Sequence, residues 1–124
     1  MRRPVPETRL GHLRITIDET AYIGPGRADL LEGIGTTGSI SAAGKAMGMS
    51  YKRAWGLVQA LNAGFGAPLV ETNRGGSAQG GAKLTELGRD VLARYRAMQD
   101  KTARAIAEDV VALRTLKRDI SDLT

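Results

Sequence analysis

Apolar and polar residues alternate over Leu13-Arg14-Ile15-Thr16-Ile17, the period of two that a half-buried strand requires. Gly24-Pro25-Gly26 then breaks the chain. From Arg27 the spacing changes, and Leu30, Leu31 and Ile34 fall on one face of a short helix that Gly33, Gly35 and Gly38 are expected to weaken and end. Two more short helices follow back to back. Ser39 or Ser41 can cap the first, with Ile40, Ala43 and Met47 inward, and Gly48 punctuates. Ser50 caps the second, which runs to about Asn62, buries Ala54, Trp55, Val58 and Leu61, and turns Tyr51, Lys52, Arg53, Gly56 and Gln59 outward before Gly64 and Gly66 stop it.

Leu69-Val70-Glu71-Thr72 and Ala82-Lys83-Leu84-Thr85 read as two short strands around a glycine-rich hairpin tip, Asn73 to Gly81. Thr85 caps a long helix with apolar positions at Leu87, Val91, Tyr95, Met98, Ala105 or Ile106, Val110, Leu113 and Leu116. Its length exceeds the roughly 8–20 residues of an ordinary globular helix, so the stripe predicts pairing with a partner. Val91, Tyr95, Met98, Ile106, Val110 and Leu113 are the expected dimerisation set.

Composition narrows the class. A chain of 124 residues fits one domain, and its 42% hydrophobic content excludes global disorder. The absence of cysteine excludes a disulfide framework and a Cys-based zinc site, and suits the reducing cytoplasm, the expected location. No apolar run approaches the ~20 residues that span a bilayer, and no signal peptide follows Met1-Arg2-Arg3-Pro4, so no membrane contact is expected. The net charge of +5 is unevenly spread. Between Ser39 and Lys83 stand Lys45, Lys52, Arg53, Arg74 and Lys83 against Glu71 alone, whereas charges nearly balance from Glu86 onward. The excess sits where a polyanion would find it.

The same segment carries a helix-turn-helix pattern. Ala43 and Gly44 are small where two helices must touch, Gly48 stands at the turn, and Met47, Met49, Ala54 and Val58 can brace the second helix. That helix offers its first turn to a major groove, where Lys and Arg donate to guanine and hydroxyls reach phosphates or base edges. Glycines in the hairpin that follows permit close approach to a sugar-phosphate backbone, as a wing requires. The expected DNA-contacting set is Ser39, Ser41, Ser50, Tyr51, Lys52 and Arg53, with Arg74, Gly75, Gly76, Gly80, Gly81 and Lys83 in the wing. The expected fold is mainly α with a small β-wing (α+β): residues 1–12 a flexible arm, 13–85 a winged helix-turn-helix DNA-binding domain, and 86–124 a dimerisation helix and tail.

In Gly38-Ser39-Ile40-Ser41-Ala42-Ala43-Gly44 and Met49-Ser50-Tyr51-Lys52-Arg53-Ala54-Trp55 the chain resembles the N-terminal domain of ModE-type molybdenum-responsive regulators. The likeness continues through Pro68-Leu69-Val70-Glu71-Thr72, the Gly75-Gly76 and Gly80-Gly81-Ala82 doublets and Leu84-Thr85-Glu86-Leu87-Gly88, over roughly residues 13 to 110. The Ser-Ile-Ser-Ala-Ala half is shared more loosely with LysR-type regulators. The resemblance implies a homodimer joined through its terminal helices, with Ser50 to Arg53 facing DNA and Arg74 to Gly81 as the wing. Full-length members also carry a molybdate-binding region of small β-barrels. This chain ends at Thr124, so molybdate is not expected on it alone, and no cofactor is expected.

The expected function is a non-enzymatic transcriptional regulator that binds double-stranded DNA at a pseudo-palindromic operator, linked to molybdenum metabolism. The alternatives are a protein-interaction module and an oxyanion-responsive sensor. Gly33-Ile34-Gly35-Thr36-Thr37-Gly38 has the spacing of a dinucleotide fingerprint but lacks the strand that must precede it. His12 is the sole histidine, read as a surface residue; Trp55 is read as core, and Glu108 and Asp109 as a solvated helix flank.

Overall fold

The computed structural model describes residues 8–73 and 81–118. A two-residue strand β1 (Ile15–Thr16) pairs antiparallel with β2 (Tyr22–Ile23). The alternation predicts the first strand; the second is too short to alternate and is not foreshadowed by it. Asp18 makes the turn between them, its carboxylate accepting from the Thr20 N–H and hydroxyl and from the Ala21 N–H at 2.8–2.9 Å. The Thr20 bonds lead in holding that carboxyl below its ordinary 3.8. A depressed carboxyl supports the hairpin above its unfolded pKa, and that support is lost as pH falls through the folded value.

Helix α1 (Pro25–Thr37) buries Ala28, Leu30, Leu31 and Ile34 completely. It does not stop at Gly33 or Gly35, because both serve packing. A Cβ on Gly33 would lie 3.0 Å from the Ala43 Cβ, and one on Gly35 would meet Leu84 at 3.2 Å. Gly38 ends the helix, left-handed at φ +73° with its N–H on the Ile34 carbonyl at 2.8 Å. The apparent dinucleotide fingerprint therefore lies inside a helix and its cap.

Two helices follow, α2 (Ile40–Ala46) and α3 (Tyr51–Phe65). Strands β3 (Val70–Asn73) and β4 (Gly81–Leu84) then pair antiparallel, Val70 opposite Leu84 and Asn73 opposite Gly81. Asn62 of α3 ties down the base of this hairpin: its Oδ1 accepts from Leu69 N at 2.8 Å and Val70 N at 3.3 Å, and its Nδ2 donates to Val70 O at 3.3 Å. The Ala82 N–H donates to the Gly38 carbonyl at 2.9 Å and joins β4 to the end of α1.

The C-terminal region departs from the expected single long helix. Thr85 caps α4 (Glu86–Ala105), accepting from Gly88 N at 3.0 Å, but the helix breaks at Ile106 before α5 (Ala107–Leu116). Ile106 takes φ −100° and ψ 3°, and neither glycine nor proline marks the spot. A second correction concerns Tyr95, expected to face a partner. It is 0% exposed in the core of its own chain, so it has no surface to offer. Its hydroxyl donates to the Leu13 carbonyl at 2.6 Å, while Val91 and Met98 pack half-buried against the same core. Arg96 reaches α1 through Asp29 at 2.8 Å and Glu32 at 3.2 Å. Ile106 and Val110 are half-buried, Leu113 is exposed, and α5 has no buried residue.

Tyr95→Phe should cost about 1 kcal/mol, the usual net value of such a hydrogen bond. The measurement is urea unfolding, with a lower midpoint and an unchanged slope. Burial raises the Tyr95 phenol above its ordinary 10.0. Its contribution is therefore complete below pH 10 and lost as pH rises through the higher folded value.

Candidate nucleic-acid interface

Local chemistry sets the geometry of α2 and α3. Ser39, not Ser41, caps α2, its hydroxyl accepting from Ala42 N at 3.0 Å; Ser41 stands exposed in the first turn. The helices touch at Gly44, where a Cβ would lie 2.8 Å from the Ala54 Cβ. The Gly44 carbonyl accepts from both Met47 N and Met49 N at 3.0 Å, and Gly48 turns the chain between them at φ +72°. Ser50 caps α3 by accepting from Arg53 N at 3.1 Å.

These constraints present one face of α3 to solvent. Ala54, Val58 and Leu61 are buried, whereas Ser50, Tyr51, Lys52 and Arg53 are all exposed, Tyr51 at 57%. The first turn holds no acidic residue. Its free backbone N–H groups add to the positive character supplied by Lys52 and Arg53. Trp55 is half-buried against the core rather than fully enclosed. Helix α3 continues past Asn62 through Gly64 to Phe65, and Gly66 caps it at φ +71°. A Cβ on Gly64 would lie 2.7 Å from the Thr20 carbonyl oxygen, so that glycine also serves packing.

In the hairpin, Lys83 is exposed with Glu71 directly opposite across the strand pair, and Gly81 is half-buried beside Gly38. Arg74, Gly75, Gly76 and Gly80 lie outside the described residues. His12 is exposed, as expected, and lies with Arg14 and Arg27 beside Arg53. Those two arginines were not singled out from the sequence, because only the unexpected β1–β2 hairpin brings them there. Among the described residues no group of His, Cys, Asp or Glu could hold a metal ion, and no helix is long and apolar enough to cross a membrane.

A pair of short helices locked at a glycine turn, followed by a two-stranded wing and a long helix, defines a winged helix-turn-helix DNA-binding domain. Residues 28–89 match the bacterial regulatory helix-turn-helix proteins of the lysR family, and the chain belongs to that family. Its helix-turn-helix domain is homologous to the N-terminal regions of ModE and Mop proteins. The molybdenum-pterin-binding protein MopB of Rhodobacter capsulatus is 46% identical over 87 residues, 70% of this chain and 32% of that protein. The transcriptional regulator ModE of Yersinia pestis is 34% identical over 112 residues, 88% of this chain and 43% of its own length. The DNA-binding transcriptional dual regulator ModE of Escherichia coli K12 is 33% identical, covering 78% of this chain and 38% of the relative. The chain thus spans less than half the length of these relatives. A CbnR DNA-binding domain solved in complex with DNA shares the fold, with a TM-score of 0.56 at 24% identity over 71% of this chain and 95% of that one.

Proposed function

We propose that the chain acts as a homodimer in the cytoplasm, binding a pseudo-palindromic operator and regulating transcription of genes of molybdenum metabolism. The observation that carries this reading is the exposed, basic, acid-free first turn of α3, capped by Ser50 and braced by α2. Lys52 and Arg53 donate to phosphates and guanine edges, and Ser39, Ser41, Ser50 and Tyr51 add hydroxyls. Arg74, Lys83 and the wing glycines follow the neighbouring backbone. Ile106, Val110 and Leu113 serve the dimer, and the exposed Leu116 of α5 extends the same apolar stripe. The molybdenum link is supported by the names of the ModE and MopB relatives. Two recognition helices about one DNA turn, ~34 Å, apart would read the two half-sites.

Selection of bound fragments from genomic and random DNA tests the reading, and an inverted repeat is the expected product. If Lys52, Arg53, Arg74 and Lys83 meet phosphates in both protomers, log affinity should fall against log salt with a slope of roughly −7, from about −0.9 per phosphate. A flat salt dependence would contradict it.

A further inference from the structure

Among the described residues, the cleft between the β1–β2 hairpin and the helix-turn-helix is lined by three arginines and by no acid. The guanidinium carbons of Arg14 and Arg27 each lie 3.7 Å from the centre of the Tyr22 ring. With His12 and Arg53, and with Met49 and Leu57 as apolar walls, they line an open cleft of about 250 Å³. Among the described residues no salt bridge involves any of the three arginines.

A guanidinium stacked by its face on a ring keeps its in-plane N–H groups free to donate. Arg27 leaves a further donor unsatisfied: its Nε is shielded from solvent without a hydrogen-bond partner, while its Nη1 reaches the Tyr22 carbonyl at 3.4 Å. The start of α1 borders the same cleft through Gly24, Gly26 and Arg27. Gly24 supplies no capping side chain, and the first ladder bond begins at Ala28 N, so the Gly26 and Arg27 amides precede it. Positive charge without an ion-pair partner among the described residues and open backbone amides at one cleft call for an anion.

We propose that this cleft is a binding site for one phosphate-type oxyanion, held by Arg14, Arg27 and the start of α1, with Arg53 connecting it to the recognition helix. The in-plane donors of a guanidinium match the oxygens of such an anion. The anion is either a backbone phosphodiester of a bound duplex or a free oxyanion. The first source rests on the proposed DNA-binding function; the second does not.

Two measurements on the whole chain decide this. In the first, inorganic phosphate is titrated while NMR follows the Arg27 Nε–H and the Gly26 amide. In the second, the salt slope of duplex binding is compared with that of Arg14→Gln, an exposed position whose replacement spares the core. A saturable shift that Arg14→Gln abolishes, with an unchanged slope, identifies a free oxyanion. A slope shallower by about 0.9 per protomer identifies a backbone phosphate, with or without a shift. No saturable shift at millimolar phosphate together with an unchanged slope overturns the proposal. If Lys52→Ala/Arg53→Ala then still releases the duplex, the cleft has failed and the recognition helix has not.

Discussion

Replacing Lys52 and Arg53 together with alanine should weaken duplex binding on the order of a thousandfold or more while leaving the fold and the dimer unchanged. A well-made Arg contact to a base costs about 1–3 kcal/mol when removed, and the proposed dimer loses two such residues from each protomer. Stability should hold because both side chains are exposed and the cap of α3 uses the Arg53 backbone N–H rather than its guanidinium. Surface changes of this kind usually stay within about ±0.5 kcal/mol. Fluorescence anisotropy with a labelled operator reads the first effect, and urea unfolding with size-exclusion chromatography reads the second. A variant that still held DNA as tightly would leave the helix-turn-helix as a protein-interaction module.

The largest effect on stability is expected at Gly88. A Cβ there would overlap the carbonyl oxygen of Leu69, which is backbone and cannot swing aside. Leu69 is 0% exposed, and its carbonyl already accepts from Thr85 N at 2.9 Å. Gly88→Ala must therefore push α4 away from the base of the wing, at a cost of about 3 kcal/mol, the upper end for overpacking. The roughly 1 kcal/mol that alanine gains over glycine inside a helix does not offset this. Gly56 is exposed within α3; a Cβ on it would meet nothing within 4 Å, and its φ is not positive. There the same replacement should stabilise by about 0.5–1 kcal/mol. Urea midpoints moving in opposite directions for two helical glycines would separate packing from propensity.

The recognition unit was legible because its boundaries rest on local chemistry. Ser50 caps its own helix and Gly48 takes the left-handed turn, so adjacent residues sufficed there, while the choice between Ser39 and Ser41 was left to the structure. The apolar faces of α1 and α3 followed from spacing alone. What was illegible depended on distant partners. Gly33, Gly35 and Gly64 resemble helix breakers until Ala43, Leu84 and Thr20 are brought against them. Tyr95 belongs to an apolar stripe that looks outward, yet its partner is Leu13, 82 residues away. Asn62 reads as a helix end but anchors the wing through Leu69 and Val70. Arg14 and Arg27 come to one cleft only because both stack on Tyr22. The interruption at Ile106 has no residue signal, since neither glycine nor proline accompanies it.

That interruption has a mechanical consequence. Tyr95 and Arg96 fasten α4 to the body of the chain, whereas α5 beyond Ile106 contributes nothing to the interior. A ten-residue helix is about 15 Å long, so a swing of a few degrees at this one joint displaces its tip by roughly an ångström. Were the proposed homodimer gripped through α5, the bend at Ile106 would set how far apart its two reading heads sit, and hence which operator spacings they accept.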